Sequence, residues 1–184
     1  LFDFKTIKDA TAQKAPYPIM WFVSSDGNLL GLTYIPEQQV GSWHRHNTDG
    51  VFESCCAVSE GVEDALYCVI KRTINGSQKR YVERMRTRNF KSLADAFFVD
   101  SGATYNGTPT TTISGIDWLE GKTVSILADG AVQPQQKVVN GKVTLNHEAS
   151  VVQVGLPYQS DVKTLPVILQ DQSGGMGRVK NVYK

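Results

Sequence analysis

Four Asn-Gly or Asp-Gly pairs, each set between short apolar or alternating runs, constrain this chain more than any other feature: Asp26-Gly27, Asn75-Gly76, Asp129-Gly130 and Asn140-Gly141. Such pairs accept the positive φ of tight hairpin turns, so each predicts two antiparallel strands folded back on one another. Around the first, 19–24 should face 29–35; around the last, 137–139 should face 142–145. The 65–86 segment is clearest. With Asn75-Gly76 as a two-residue turn, Ile70 opposes Tyr81, Cys68 opposes Glu83 and Leu66 opposes Met85 on one largely apolar face. The other face carries Tyr67, Val69, Val82 and Arg84. Two glycosylation-type triplets, Asn75-Gly76-Ser77 and Asn106-Gly107-Thr108, are both expected to be turns.

Helical signals are thin. The 5–14 segment (KTIKDATAQK) could make two turns of helix, but it lacks a sustained apolar stripe, and Pro16 and Pro18 end it. The 92–98 segment (SLADAFF) predicts one short helix, with Ser92 as cap and Asp95 three residues on. Everything else reads as short strands punctuated by Gly, Pro, Asn and Asp, so the fold class is mainly β. A boundary is expected between 98 and 112, where the chain is rich in Gly, Thr, Ser and Asn. That divides a β-rich body, 1–98, from a small β-barrel or sandwich, 99–169. Residues 170–184 then read as a glycine-rich linker and a return strand.

At 184 residues the chain is long enough to bury a sizeable core without staples. Its 41% hydrophobic and 20% charged content argues against disorder. No run approaches the ~18 apolar residues of a membrane-spanning helix. Cys55, Cys56 and Cys68 are too few for a disulfide scaffold and are expected to be free thiols in a chain made in a reducing cytoplasm. The chain begins at Leu1 with no charged-then-apolar leader, so it is expected to be an internal piece or a processed form without a secretory signal.

Motifs for chemistry are sparse. His44-Arg45-His46 would place two imidazoles on one face of a strand, the start of a metal site. Without a third ligand at defined spacing, the expectation is that both pack locally and bind no ion. Neither a G-x-S-x-G elbow, a Walker pattern nor a G-x-G-x-x-G loop occurs, and no Cys stands in a recognisable relation to a His. No catalytic residue, cofactor or enzymatic activity is therefore assigned.

Charge distribution says more than the net charge of +1. Between 71 and 91 there are eight basic residues, Lys71, Arg72, Lys79, Arg80, Arg84, Arg86, Arg88 and Lys91, against one acid, Glu83. Between 49 and 64 there are five acids, Asp49, Glu53, Glu60, Glu63 and Asp64, and no base. The eight basic residues make a candidate electrostatic interface. Lys71 and Arg80 would be directly opposed, as would Arg72 and Lys79, and like charges so placed repel. Solvent, the 49–64 acids, a neighbouring subunit or phosphates could offset that repulsion. Protein acids are the expected partner, with nucleic acid touched only transiently and without sequence preference.

Several strings carry a resemblance. Pro16-Tyr17-Pro18-Ile19-Met20-Trp21 runs into a strand–turn–strand unit ending at Thr33-Tyr34. Gly41-Ser42-Trp43-His44-Arg45-His46, Val69-Ile70-Lys71-Arg72-Thr73 and Arg80-Tyr81-Val82-Glu83-Arg84-Met85 follow. In the second half stand Leu119-Glu120-Gly121-Lys122-Thr123-Val124, Leu127-Ala128-Asp129-Gly130 and Val154-Gly155-Leu156-Pro157-Tyr158. Together these resemble the tail tubular protein B, or tail nozzle, family of short-tailed bacteriophages and related prophage tail proteins. The resemblance implies propeller-like antiparallel sheets interrupted by a small β-domain similar in fold to the β-barrel of ubiquitin-activating enzymes. It also implies a non-enzymatic virion protein that joins other phage tail proteins, in a homo-oligomeric ring when full length, around the path of DNA ejection. The alternative is a β-type module of a phage tail that binds a host-surface glycan.

Overall fold

The computed structural model describes residues 4–87 and 90–163. Among the described residues, eleven strands form three antiparallel sheets. The first is an up-and-down meander in chain order: β1 (Ile7–Gln13), β2 (Ile19–Ser24), β3 (Leu29–Ile35) and β4 (Val40–His46). The second is β5 (Val51–Glu60), β6 (Glu63–Ile74) and β7 (Ser77–Arg84), also in chain order. The third contains β8 (Asp100–Ser114), β9 (Thr123–Ala128), β10 (Ala131–Lys137) and β11 (Lys142–Leu156), in the order β10-β9-β11-β8. No helix among the described residues is long and apolar enough to cross a membrane.

Turn chemistry accounts for the sheet connections. Asn75-Gly76, Asp129-Gly130 and Asn140-Gly141 each have positive φ at both residues, the geometry of a type I′ turn. The β6–β7 ladder pairs Ile70 with Tyr81, Cys68 with Glu83 and Lys71 with Arg80, as the turn predicts. β2 and β3 occupy the two runs expected around Asp26-Gly27, where Gly27 alone takes positive φ.

Elsewhere the structure departs from the sequence expectations, each time for a local reason. The 5–14 segment is strand β1 rather than helix: with no apolar stripe to bury, it pairs along β2, Thr11 opposite Trp21. The 92–98 segment holds a single 3₁₀ turn, Leu93–Asp95; its Ser92/Asp95 capping box is present, but no helix follows it. The Gly-, Thr- and Ser-rich stretch between 98 and 112 is not irregular chain: most of it forms the long strand β8, whose β-branched residues suit a pleated surface. Asn106-Gly107 lies within that strand, not at a turn. There the β8–β11 register slips, with Asn106 opposite Val151 and Thr110 opposite Ala149, and Tyr105 OH bonds Thr108 O across the irregularity at 2.7 Å. Around Asn140-Gly141 only the bridge Val139–Lys142 forms, because β11 pairs with β8 and β9 instead. The linker and return strand expected at 170–184 lie outside the described residues.

Two hydrophobic cores result. Ile19, Trp21, Val23 and Leu29 from the first sheet meet Phe52, Cys55, Leu66, Cys68 and Ile70 from the second. The third sheet builds its own core from Ile113, Val124, Ile126, Val143, Val152 and Val154, closed over by Ile116, Leu119 and Val138.

The first two sheets are also joined at their edges by side chains. Asp9 Oδ2 accepts the Cys55 N–H at 2.9 Å, and Thr11 Oγ1 accepts the Ala57 N–H at 3.0 Å. Alternate β1 side chains thus satisfy alternate outward N–H groups of β5.

Candidate functional site

The basic hairpin is the candidate site, and its residues fall into three environments. Arg72 is inside the protein. It lies on the β6 face that buries Leu66, Cys68, Ile70 and Ile74, and it is 1% exposed. Its Nε and Nη2 donate to the two oxygens of Glu83, each at 2.7 Å. Nη1 donates to Thr48 Oγ1 and to the Asp49 carbonyl, both at 2.7 Å, and Asp100 Oδ2 stands 3.6 Å from Nη2. Thr48 in turn bonds Asp100, and Ser101 Oγ donates to Glu83 at 3.0 Å. Burial alone would lower the Arg72 pKa; the Glu83 bonds and nearby carboxylates outweigh it and raise it. One guanidinium therefore ties β6 and β7 to the β4–β5 connection and to the first residues of β8.

Lys71, Arg80 and Arg84 lie on the opposite face and pair with the 49–64 acids. Arg80 donates through Nε and Nη2 to Glu53 at 2.6 and 3.2 Å, and Lys71 Nζ approaches the same carboxylate at 3.8 Å. Arg84 donates to Glu60 Oε2 from Nε and Nη2 at 3.1 and 2.7 Å, and to Glu63 at 3.1 Å. Tyr67 OH completes that cluster, donating to Glu60 at 2.5 Å. These bonds hold the Glu53 and Glu60 carboxyls below their ordinary range: Arg80 acts on the first, Arg84 and then Tyr67 on the second. The remaining acids are engaged too. Asp49 accepts from Lys122 at 2.6 Å, and Asp64 accepts the Lys14 and Ala15 N–H groups at 2.7 and 3.1 Å.

The rest of the group is dispersed. Arg86 pairs with Asp95 at 3.5 Å beside the Phe97 ring. Lys79 and Lys91 are exposed and have no ion pair among the described residues, and Arg88 lies outside those residues. The seven described cations thus form no single surface: of the two like-charged pairs across β6 and β7, Lys71 and Arg80 share the Glu53 carboxylate, while Arg72 turns inward to Glu83 and Lys79 stays exposed.

The histidine pair is drawn into packing. His44 and His46 both contact Trp21, with ring centroids at 5.2 and 5.4 Å, and His44 Nδ1 is 2.8 Å from His46 Nε2. Gly31, opposite both Trp21 and His44, makes room for this: a Cβ there would collide with the His44 imidazole. Among the described residues no three His, Cys, Asp or Glu side chains gather where they could hold a metal ion.

A cleft of about 310 Å³ opens between the β1–β2 and β5–β6 turns, lined by Pro16, Tyr17, Glu63, Leu66, Met85 and Arg86 among others. In the 3₁₀ turn between β8 and β9, Trp118 is partly buried against the core of the third sheet and donates its N–H to the Ser101 carbonyl at 2.9 Å.

Sequence reasoning missed Thr48, Asp100 and Ser101 as partners of this site. The alternation of β6 did carry a signal for Arg72, which occupies the register of an otherwise apolar stripe. No protein-family model matches the chain, and no curated protein matches it.

Proposed function

We propose that the chain is a structural component of a bacteriophage tail, of the nozzle or tail-tube type, forming part of the conduit for DNA ejection, and that it is not an enzyme. The observation that carries this reading is the β1–β4 sheet: four antiparallel strands in strict chain order, the arrangement of a propeller blade. It packs face to face on β5–β7, as successive blades do, and the strings quoted above fall largely within these two sheets. The proposal divides the chain into a propeller-like body, 1–98, and a small β-barrel or sandwich domain, 99–169. Its partners are other tail proteins and further copies of the full-length protein, and its location is the virion tail.

Charge placement supports a conduit role. A surface that lets DNA slide should not grip it, and here most hairpin cations are already matched by carboxylates of the same chain. Labelling this chain in the parent particle and imaging by electron microscopy tests the proposal. Label at the distal tail supports it; label confined to the capsid or absent from particles overturns it.

A further inference from the structure

We propose that Cys55 and Cys68 are a latent cross-strand disulfide, a site of oxidative cross-linking within the β5–β6 hairpin. The two residues are direct partners in the β5–β6 ladder, and both are free, buried thiols in the core between the first two sheets.

The hydrogen bonding fixes which kind of partners they are. Residues facing one another in an antiparallel ladder alternate between pairs that exchange backbone bonds and pairs that do not. The Cys55 N–H points away from β6, to Asp9 Oδ2. Cys55 and Cys68 are therefore a non-hydrogen-bonded pair, the closer class, with Cα atoms about 4.5 Å apart. That lies at the short end of the roughly 4.4–6.8 Å span of disulfides. Both side chains lie on the buried face, so they point the same way. Cys56 cannot substitute for either, because it is exposed on the opposite face, where it opposes Tyr67.

The fold also delays the reaction. Burial raises the Cys55 thiol to about 11, aided by Asp9, and raises Cys68 to about 12, aided by Cys55 and Glu83. Few thiolates exist at neutral pH, and thiolate is the attacking species. Oxidation then proceeds while β1 is lifted from β5. Given a small disulfide oxidant of the glutathione class, one cysteine thiolate attacks an oxidant sulfur and expels a thiol. The second thiolate attacks the resulting mixed disulfide and expels the other thiol. The chain loses two protons and two electrons, and the oxidant is reduced to two thiols.

The test uses the full chain and its Cys56→Ser variant, incubated with oxidised glutathione at a denaturant concentration just below the unfolding transition and then returned to buffer. Peptide mapping should find residues 55 and 68 joined, with two hydrogens lost, in both proteins. The thermal midpoint should rise by several degrees and return to its starting value on reduction. The proposal is overturned if both thiols still react with a thiol-titrating reagent after incubation, or if the wild-type chain joins Cys56 to either partner in preference. It is also overturned if the 55–68 bond forms and lowers the midpoint.

Discussion

Glu83 holds the Arg72 guanidinium with both carboxylate oxygens, each 2.7 Å from a different nitrogen of a side chain that solvent does not reach. Removing one member of such a pair leaves a buried charge unmatched, which costs about 3–5 kcal/mol, whereas replacing both with apolar groups of similar volume is often neutral. Glu83→Ala should therefore destabilise the chain more than the double variant Arg72→Met/Glu83→Leu, as read by urea unfolding. A double variant as costly as the single one would mean that the Thr48, Asp49 and Asp100 contacts matter more than the pair itself.

The acid side of the stability profile follows from the half-buried carboxylates that are hydrogen-bonded in the fold. Glu53 and Glu60 titrate below their ordinary 4.5 because Arg80 and Arg84 donate to them, and Asp64 below 3.8 because the Lys14 and Ala15 N–H groups do. A depressed carboxyl contributes its full stabilisation above its unfolded pKa and loses it as pH falls through the folded value. Thermal midpoints should be level above about pH 5 and fall steadily below it.

At high pH the two buried thiols take over. They remain protonated in the fold up to about 11 and 12, while in the unfolded chain they ionise near 9.0. Stability should decline as pH rises through that window. The Cys55→Ala/Cys68→Ala variant, less stable at neutral pH, should show a shallower decline in a melting series.

Gly31→Ala should disturb the Trp21–His44 contact directly, since the new methyl group meets the imidazole. Overpacking of this kind costs roughly 1–3 kcal/mol. Adding His44→Ala should recover part of the loss, and Trp21 fluorescence should report the change in both variants.

Arg80→Glu with Arg84→Glu places like charges beside Glu53, Glu60 and Glu63. Exposed pairs contribute only about 0.2–1 kcal/mol each, so the isolated chain should stay folded. DNA binding measured by fluorescence anisotropy should be weak, salt-sensitive and little changed by the substitutions. Assembly of the parent particle should suffer more than DNA affinity. Normal assembly with failed ejection would place these residues against DNA.

The β6–β7 hairpin was fully legible in the sequence, because Asn75-Gly76 admits one turn geometry and that turn fixes every pair after it. β1 was not, because KDATAQ has no apolar period of either kind; its strand state depends on β2 and on the β5 N–H groups that Asp9 and Thr11 receive. The partners of β11 were hidden for a similar reason. Its local turn suggests a hairpin with 137–139, yet the burial of Val143, Val152 and Val154 favours β8 and β9, one of them distant in the chain. The hairpin cations were visible as a cluster, but counting charge without assigning faces concealed that Arg72 points inward. Its contacts to Thr48 and Asp100 join positions too far apart in sequence for spacing to reveal.

The clasp of Asp9 and Thr11 on β5 bears on solubility. An open strand edge is a template on which another chain can add a strand and begin to aggregate. Here the outward N–H groups of Cys55 and Ala57 are occupied by short polar side chains rather than by a backbone. At these two positions the β5 edge is occupied without being extended into a continuous sheet, so a strand arriving there would first have to displace Asp9 and Thr11.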